Sequence, residues 1–273
     1  VRIGQSKVPF GFENMQSSSN RLPLDRNDGL NSSVPNERDL GLFFYYTPQK
    51  VRQFFADALK TGIKGSGDYG MIGFGIYNGQ AANRAEQNNN QYLVGRITYP
   101  FFIKNQVLEL SGQAYTGMFR LSSDQISSGT KVNENKSYRD ERAAFTVNLY
   151  PKPFGVMAEY NIGVGPRFNT ATDSIETAPI SGGYIMTSYM IHLKDQLITP
   201  YARAQYYDGG KKQEKDARSY EVKEFETGVE WQLNKSLELT VAYVFSERRY
   251  EDYVKQDNFQ KGQLMRLQVQ MNF

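Results

Sequence analysis

The final residues of the chain, 262–273 (GQLMRLQVQMNF), constrain it most. Met265, Leu267, Val269, Met271 and Phe273 alternate without a break with Leu264, Arg266, Gln268, Gln270 and Asn272. A β-strand has a side-chain period of two, so this segment presents one apolar face and one mostly polar face. A soluble sheet turns such an apolar face to a core. A transmembrane barrel turns it to lipid, with the polar face towards a wet lumen and aromatics at the interfaces. One strand does not separate these readings.

Composition narrows them. Hydrophobic residues make up 39% of the chain and aromatics 14%. No run of ~20 apolar residues exists, which excludes a helical membrane protein. A barrel with a wet interior needs only alternate residues to be apolar, so it tolerates this low average. Cysteine is absent, which removes a disulfide framework and any thiolate metal site. The 32 basic and 29 acidic residues leave a net charge of +3, too balanced to imply nucleic acid. The sequence opens on VRIGQSKVPFG, which already reads as a strand. An exported protein carries a signal peptide, so an N-terminal part is expected to lie outside this sequence.

The alternating pattern recurs along the chain. It predicts strands over 1–8, 38–46, 69–78, 91–99, 108–119, 141–150, 154–163, 183–193, 197–207, 220–233, 236–248 and the terminal segment, twelve in all. Short turns alternate with long polar loops, among them 9–37, 120–140, 164–182 and 208–219. The exception is 47–68, whose VRQFFADALK stretch has apolar residues at helical spacing and predicts a short helix. Outer-membrane barrels sort their connections this way, short at the periplasmic end and long outside. A soluble Greek-key sandwich has no reason to. The predicted fold is therefore an all-β, antiparallel transmembrane β-barrel, one domain over 1–273.

The faces agree with that reading. Leu237, Leu239, Val241, Tyr243 and Phe245 oppose Glu238, Thr240, Ala242, Ser246 and Arg248, with Val244 an apolar exception. Two aromatic girdles are expected. Tyr45, Tyr46, Tyr99, Phe101, Tyr150, Phe154, Trp231 and Phe273 mark the short-turn end, and Tyr77, Tyr160, Tyr206, Tyr220 and Tyr250 the loop end. Counting back from the terminal strand makes 9–37, the longest loop, an external one.

The runs RIGQSKVPFGFEN, SSSNRLPLDRND, NERDLGLFFYYTP, GSGDYGMIGFGIYNGQ, FGVMAEYNIGVGP, TPYARAQYYDGGKK and ETGVEWQLNKSLELTVAYVFSERR occur in that order over nearly the whole chain. Together they resemble the phosphate-selective porin O and P family. The resemblance implies a sixteen-stranded, homotrimeric outer-membrane channel passing anions such as phosphate and chloride, of which this chain supplies twelve strands. It also implies that 9–37, as third external loop, folds into the barrel and narrows it. Outer-membrane lipid is then the implied surround.

An anion filter needs Arg or Lys along a narrow wet passage, and guanidinium suits phosphate because its fork makes paired hydrogen bonds. Arg21 and Arg26 lie in the 9–37 loop. Arg96, Arg142, Arg203, Arg248 and Arg266 fall on polar strand faces. Lys7 and Arg2 have opposite parity, so a regular strand points at most one of them inward. The inward acids Glu109, Glu159, Glu224, Glu226, Glu230 and Glu238 outnumber the five inward strand arginines. Selectivity then rests on distribution rather than on the sum.

A catalytic barrel such as an outer-membrane lipid hydrolase is an alternative. It needs a serine and a histidine in hydrogen-bond reach. The sole histidine, His192, lies ~13 Å along the strand from Ser188. No nucleophile elbow, P-loop, cofactor motif or metal-ligand spacing occurs. A plugged structural or adhesive barrel is the other alternative, and conductance separates it from a porin.

Overall fold

Alternation with a period of two produces strands wherever it persists. A computed structural model describes residues 1–60, 63–67 and 69–271. Its strands are β1 (Arg2–Lys7), β2 (Arg38–Tyr46), β3 (Ile72–Tyr77), β4 (Tyr92–Ile103), β5 (Gln106–Arg120), β6 (Ser137–Leu149), β7 (Phe154–Asn169), β8 (Ser174–Tyr189), β9 (Ile191–Leu193), β10 (Gln196–Gly210), β11 (Ser219–Asn234), β12 (Leu237–Glu251) and β13 (Phe259–Met271). Each is antiparallel to its neighbour, and the order in the sheet follows the chain. The three-residue β9 pairs only with β10. It continues the line of β8 past Met190, whose N–H turns to Pro153 O at 2.8 Å. The twelve predicted strands are therefore all present, one of them interrupted. Among the described residues β1 and β13 form the two edges of an open sheet.

Several strands run further outward than predicted. β7 reaches Asn169 and β8 begins at Ser174, so the expected loop 164–182 shrinks to a tight connection. β6 likewise begins at Ser137 rather than at Glu141. These outer ends mix both kinds of residue: Phe168, Ile175 and Ile180 are buried on the inner side, and Arg167 pairs with Asp208 at 2.7 Å.

The outer face is apolar. Met265, Leu267, Val269 and Met271 are each more than half exposed, while Arg266, Gln268 and Gln270 turn to the other side. Asn272 and Phe273 lie outside the described residues. Of the expected girdle aromatics, Tyr46, Tyr99, Phe101, Phe154, Tyr160 and Tyr206 face outward. Tyr150, Tyr77 and Tyr220 are buried on the inner side, and Tyr45 packs against that inner cluster. Phe44, Phe74, Phe145, Phe225 and Phe245 take up the outer band instead.

The inner side is occupied. The loop 8–37 enters it, carrying two short helices, α1 (Phe12–Met15) and α2 (Asp28–Asn31). Val8, Phe10, Leu30 and Val34 pack on Phe43, Tyr77, Tyr92, Tyr115 and Phe119 of β2–β5. The predicted helix in 47–68 is present as α3 (Gln49–Lys60). Pro48 stands just before it, and its carbonyl accepts from Val51 and Arg52 at 3.0 Å. Proline suits that position because its missing N–H would have no helical partner. Ala58 and Ile63 join Phe12 and Leu22 against the inner-wall residues Tyr150, Met157, Tyr184 and Tyr201. This connection broke the turn–loop alternation because it turns back into the barrel.

Candidate functional site

The inward loop holds its shape through one buried carboxylate. Glu13 Oε2 accepts from Asn27 N at 2.6 Å and Asn27 Nδ2 at 2.9 Å. The Asn27 side chain in turn caps α2 by accepting from Leu30 N at 3.0 Å. Gly11, with φ 78, allows the entry bend, and a Cβ there would lie 2.3 Å from Leu30 Cδ1.

Wall side chains then pin the loop. Gln113 Oε1 accepts from Gly11 N at 2.6 Å, Glu159 Oε2 from Phe12 N at 2.6 Å and Gln205 Oε1 from Asp28 N at 3.1 Å. These satisfy backbone donors that the short helices leave unpaired.

The seven predicted arginines divide by exposure. Arg21 lies 3.0 Å from Glu37 and donates to Glu13 O. Arg26 donates to Asn14 Oδ1 at 2.9 Å, Val34 O at 3.0 Å and Pro35 O at 2.5 Å. Arg96 is buried on the wall, 3.7 Å from Glu109. Arg142 donates to Ser32 Oγ at 2.5 Å, Ser32 O and Gly29 O, and pairs with Asp140. Arg203 lies 2.9 Å from Glu226 and 3.3 Å from Glu13, and donates to Asp25 O. Arg248 pairs with Glu224 at 2.8 Å and Asp28 at 3.5 Å. Arg266 pairs with the Asp25 carboxylate. Arg21 and Arg26 belong to the loop, and four of the five wall arginines, Arg142, Arg203, Arg248 and Arg266, reach it; among the described residues Arg96 pairs on the wall with Glu109 instead.

The side chains of Arg248 and Arg266 are 34% and 29% exposed, against 8% or less for the other five. Both open onto a cavity of about 320 Å³ between loop and wall, shared with Asp25, Glu224, Ser246 and Gln260. Arg2 and Lys7 both turn inward despite their parity. Arg2 lies over the Tyr45 and Tyr69 rings, and Lys7 reaches Glu37 at 3.1 Å. The register with β2 is unbroken through Gly4, so Lys7 departs from the alternation at the end of the strand, where the chain turns in and Val8 N–H donates to Glu37 O.

Three charged residues at the site escaped the sequence reading. Lys64, in the 47–68 connection, pairs with Glu230 at 2.6 Å. Lys212, in an external loop, reaches down to Asp140 and sits 5.1–5.4 Å from the ring centroids of Tyr92, Tyr115 and Phe119. Asp140 also accepts from the Tyr92 and Tyr115 hydroxyls at 3.1 and 3.0 Å. It shares the parity of Arg142, so starting β6 one residue earlier would have found it. Neither lysine lies in a periodic segment, so no sequence signal marked them.

Burial alone would raise the Asp28 carboxyl, but Lys211 and Arg248 more than offset it and hold it below the usual carboxylate range. Glu37 is likewise held down against its burial by Lys7, Arg21 and Arg26. Burial lowers the Arg26 guanidinium and the Lys212 ammonium, with Glu37 and Asp140 respectively opposing.

An antiparallel sheet with an apolar outer face, a charged inner face and a loop folded across that face defines an outer-membrane β-barrel channel. The sequence profile of the phosphate-selective porin O and P family matches residues 1–273, and the chain belongs to that family. It is an outer-membrane porin, a passive channel of the bacterial outer membrane. The β-domain of the Bordetella autotransporter Brka is a solved structure with 13% identity and a TM-score of 0.30, matched over 76% of this chain and 78% of that one. Comparison with curated proteins finds no match.

Proposed function

We propose that this porin passes small anions, phosphate and chloride among them, between the inward loop and the inner faces of β11–β13. The observation that carries this reading is the cavity onto which Arg248 and Arg266 open. Their carboxylate partners hold the guanidinium groups at the wall. The Arg266–Asp25 pair is exposed and weak, so a passing anion can take that carboxylate's place at small cost, while Arg248 stays on its buried partners Glu224 and Asp28 and adds its field. Arg21, Arg26, Arg96, Arg142 and Arg203 set the field along the route, and all of them but Arg96 brace the loop. Passage is electrodiffusion without turnover chemistry.

Strand edges in lipid leave backbone groups unpaired at a cost of several kcal/mol each. The edges β1 and β13 are therefore both paired in the closed barrel, and the assembly is a homotrimer as the resemblance implies.

The test is reversal potential in planar bilayers under a chloride gradient, then under a phosphate gradient. The expected result is anion selectivity, with chloride current blocked by phosphate. Cation selectivity would overturn the anion route. The apolar packing on the inner side of β2–β10 favours a second reading, a plugged structural barrel. Absence of current would select it.

A further inference from the structure

The outer wall near the external end carries two adjacent rows of outward side chains of opposite character. Lys223, Glu247 and Lys261 stand opposite one another across β11, β12 and β13. Two residues lower, Phe225, Phe245 and Gln263 form the next row. Between them Glu224, Ser246 and Gly262 turn their positions inward, so backbone alone floors the gap. The result is a groove of about 700 Å³ bounded by both rows. That volume lies within the range of small-ligand sites.

Below the groove this face is mostly apolar and suited to acyl chains, Thr227 being a polar exception. Tyr243, Met265, Val229 and Leu267 are exposed and continue the apolar surface. From Phe245 down to Leu237 the strand covers ~26 Å, or ~20 Å along the membrane normal at ~40° tilt. The aromatic row therefore lies at the external limit of the hydrocarbon zone, and the lysine row lies just outside it. Lys223 and Lys261 are 61% and 70% exposed. Glu221, one row further out, pairs with Lys223 at 2.9 Å, and Glu247, between the two lysines, pairs with Lys261 at 2.6 Å. Ion pairs this exposed exchange partners at little cost.

We propose that this groove seats one phosphorylated, acylated glycolipid of the outer leaflet. Its phosphates lie on Lys223 and Lys261, and its acyl chains run down over Phe225 and Phe245. The external position selects this lipid over the glycerophospholipids of the inner leaflet. The site lies on the outside of the wall and is independent of the conduction route. It requires only that the chain sits in the outer membrane.

The test is native mass spectrometry of the folded full chain in detergent, titrated with lipid A, dephosphorylated lipid A and phosphatidylglycerol. One lipid A per chain is expected, with the bound fraction reduced at least tenfold by K223Q/K261Q or by removing the phosphates. F225A should weaken binding without changing the preference for the phosphorylated form. K235Q, at a short turn on the opposite end, should bind like the parent, and heat-modifiable migration confirms that each variant is folded. Parent-level binding by K223Q/K261Q, equal binding of phosphatidylglycerol or no binding of lipid A would each overturn the proposal. Bilayer conductance is a separate readout, so failure here is distinguishable from failure of the channel reading.

Discussion

Arg203 on the inner wall and Glu13 in the inward loop meet at 3.3 Å, although 190 residues separate them in sequence. The guanidinium is shared with Glu226 at 2.9 Å, and all three side chains are nearly inaccessible. The pair joins the fold of the loop to the wall of the barrel, because Glu13 also holds Asn27 and through it the cap of α2.

Arg203→Met should leave two buried carboxylates without their shared cation. Removing one partner of a buried pair costs ~3–5 kcal/mol. Thermal or denaturant unfolding in detergent should register a loss of that order, and single-channel recordings should show noisier current from a loosened loop. Unchanged stability would mean that water reaches the cluster.

Arg266→Gln acts on an exposed pair, so its effect on stability should be small, whereas Arg248→Gln also leaves the buried Asp28 and Glu224 short of a cation and should cost some stability. Both should act on selectivity. Each should lower the anion-to-cation permeability ratio two- to fivefold, the equivalent of ~0.5–1 kcal/mol. Arg96→Gln, buried beside Glu109, should instead show mainly a folding defect. Reversal potentials measured on the three variants separate these outcomes.

Acid should release the loop. The Asp28 and Glu37 carboxyls are held below their ordinary values of 3.8 and 4.5. A depressed carboxyl contributes stability that is fully present above its unfolded value and is lost as pH falls through the lower folded value. Conductance and melting temperature should therefore hold level from neutral pH down to about 4.5, then change below it. A transition near neutral pH would point to other groups.

Lys212→Ala should free an external loop. Asp216 in the same loop accepts from Ser127 N at 2.7 Å and Thr130 Oγ1 at 3.1 Å, so the external loops are tied together there. Loss of the Lys212–Asp140 contact should raise protease cleavage within 211–218 several-fold, as expected of a segment that has lost its buried contacts. Asp216→Ala should do the same and extend cleavage into 121–136. Cleavage in neither variant would show that the apolar packing alone holds the loops.

Much of the fold was legible in the sequence because a strand's period is local. Leu267 and Arg266 point to opposite sides of β13 whatever lies around them. The same rule put Arg142, Arg203 and Arg248 on the inner face. It failed for Tyr150 and Tyr220, because aromatic character at a strand end says nothing about side when the inner face also has apolar cover. It missed Asp140 because the charged run 139–142 gives no periodic mark of where β6 begins, and Asp140 lies one residue outside the expected strand.

The sequence by itself determined the number, order and facing of the strands, the amphipathic helix before Lys60 and the family to which the chain belongs. These depend on spacing within a few residues and on motifs read in order. Only the tertiary structure decided which inward arginines are covered and which stay open. Arg203 and Arg248 look alike in a strand pattern, and a loop docking nearly two hundred residues away buries one and leaves the other on a cavity. Such burial depends on long-range packing of aperiodic segments, which local spacing does not encode.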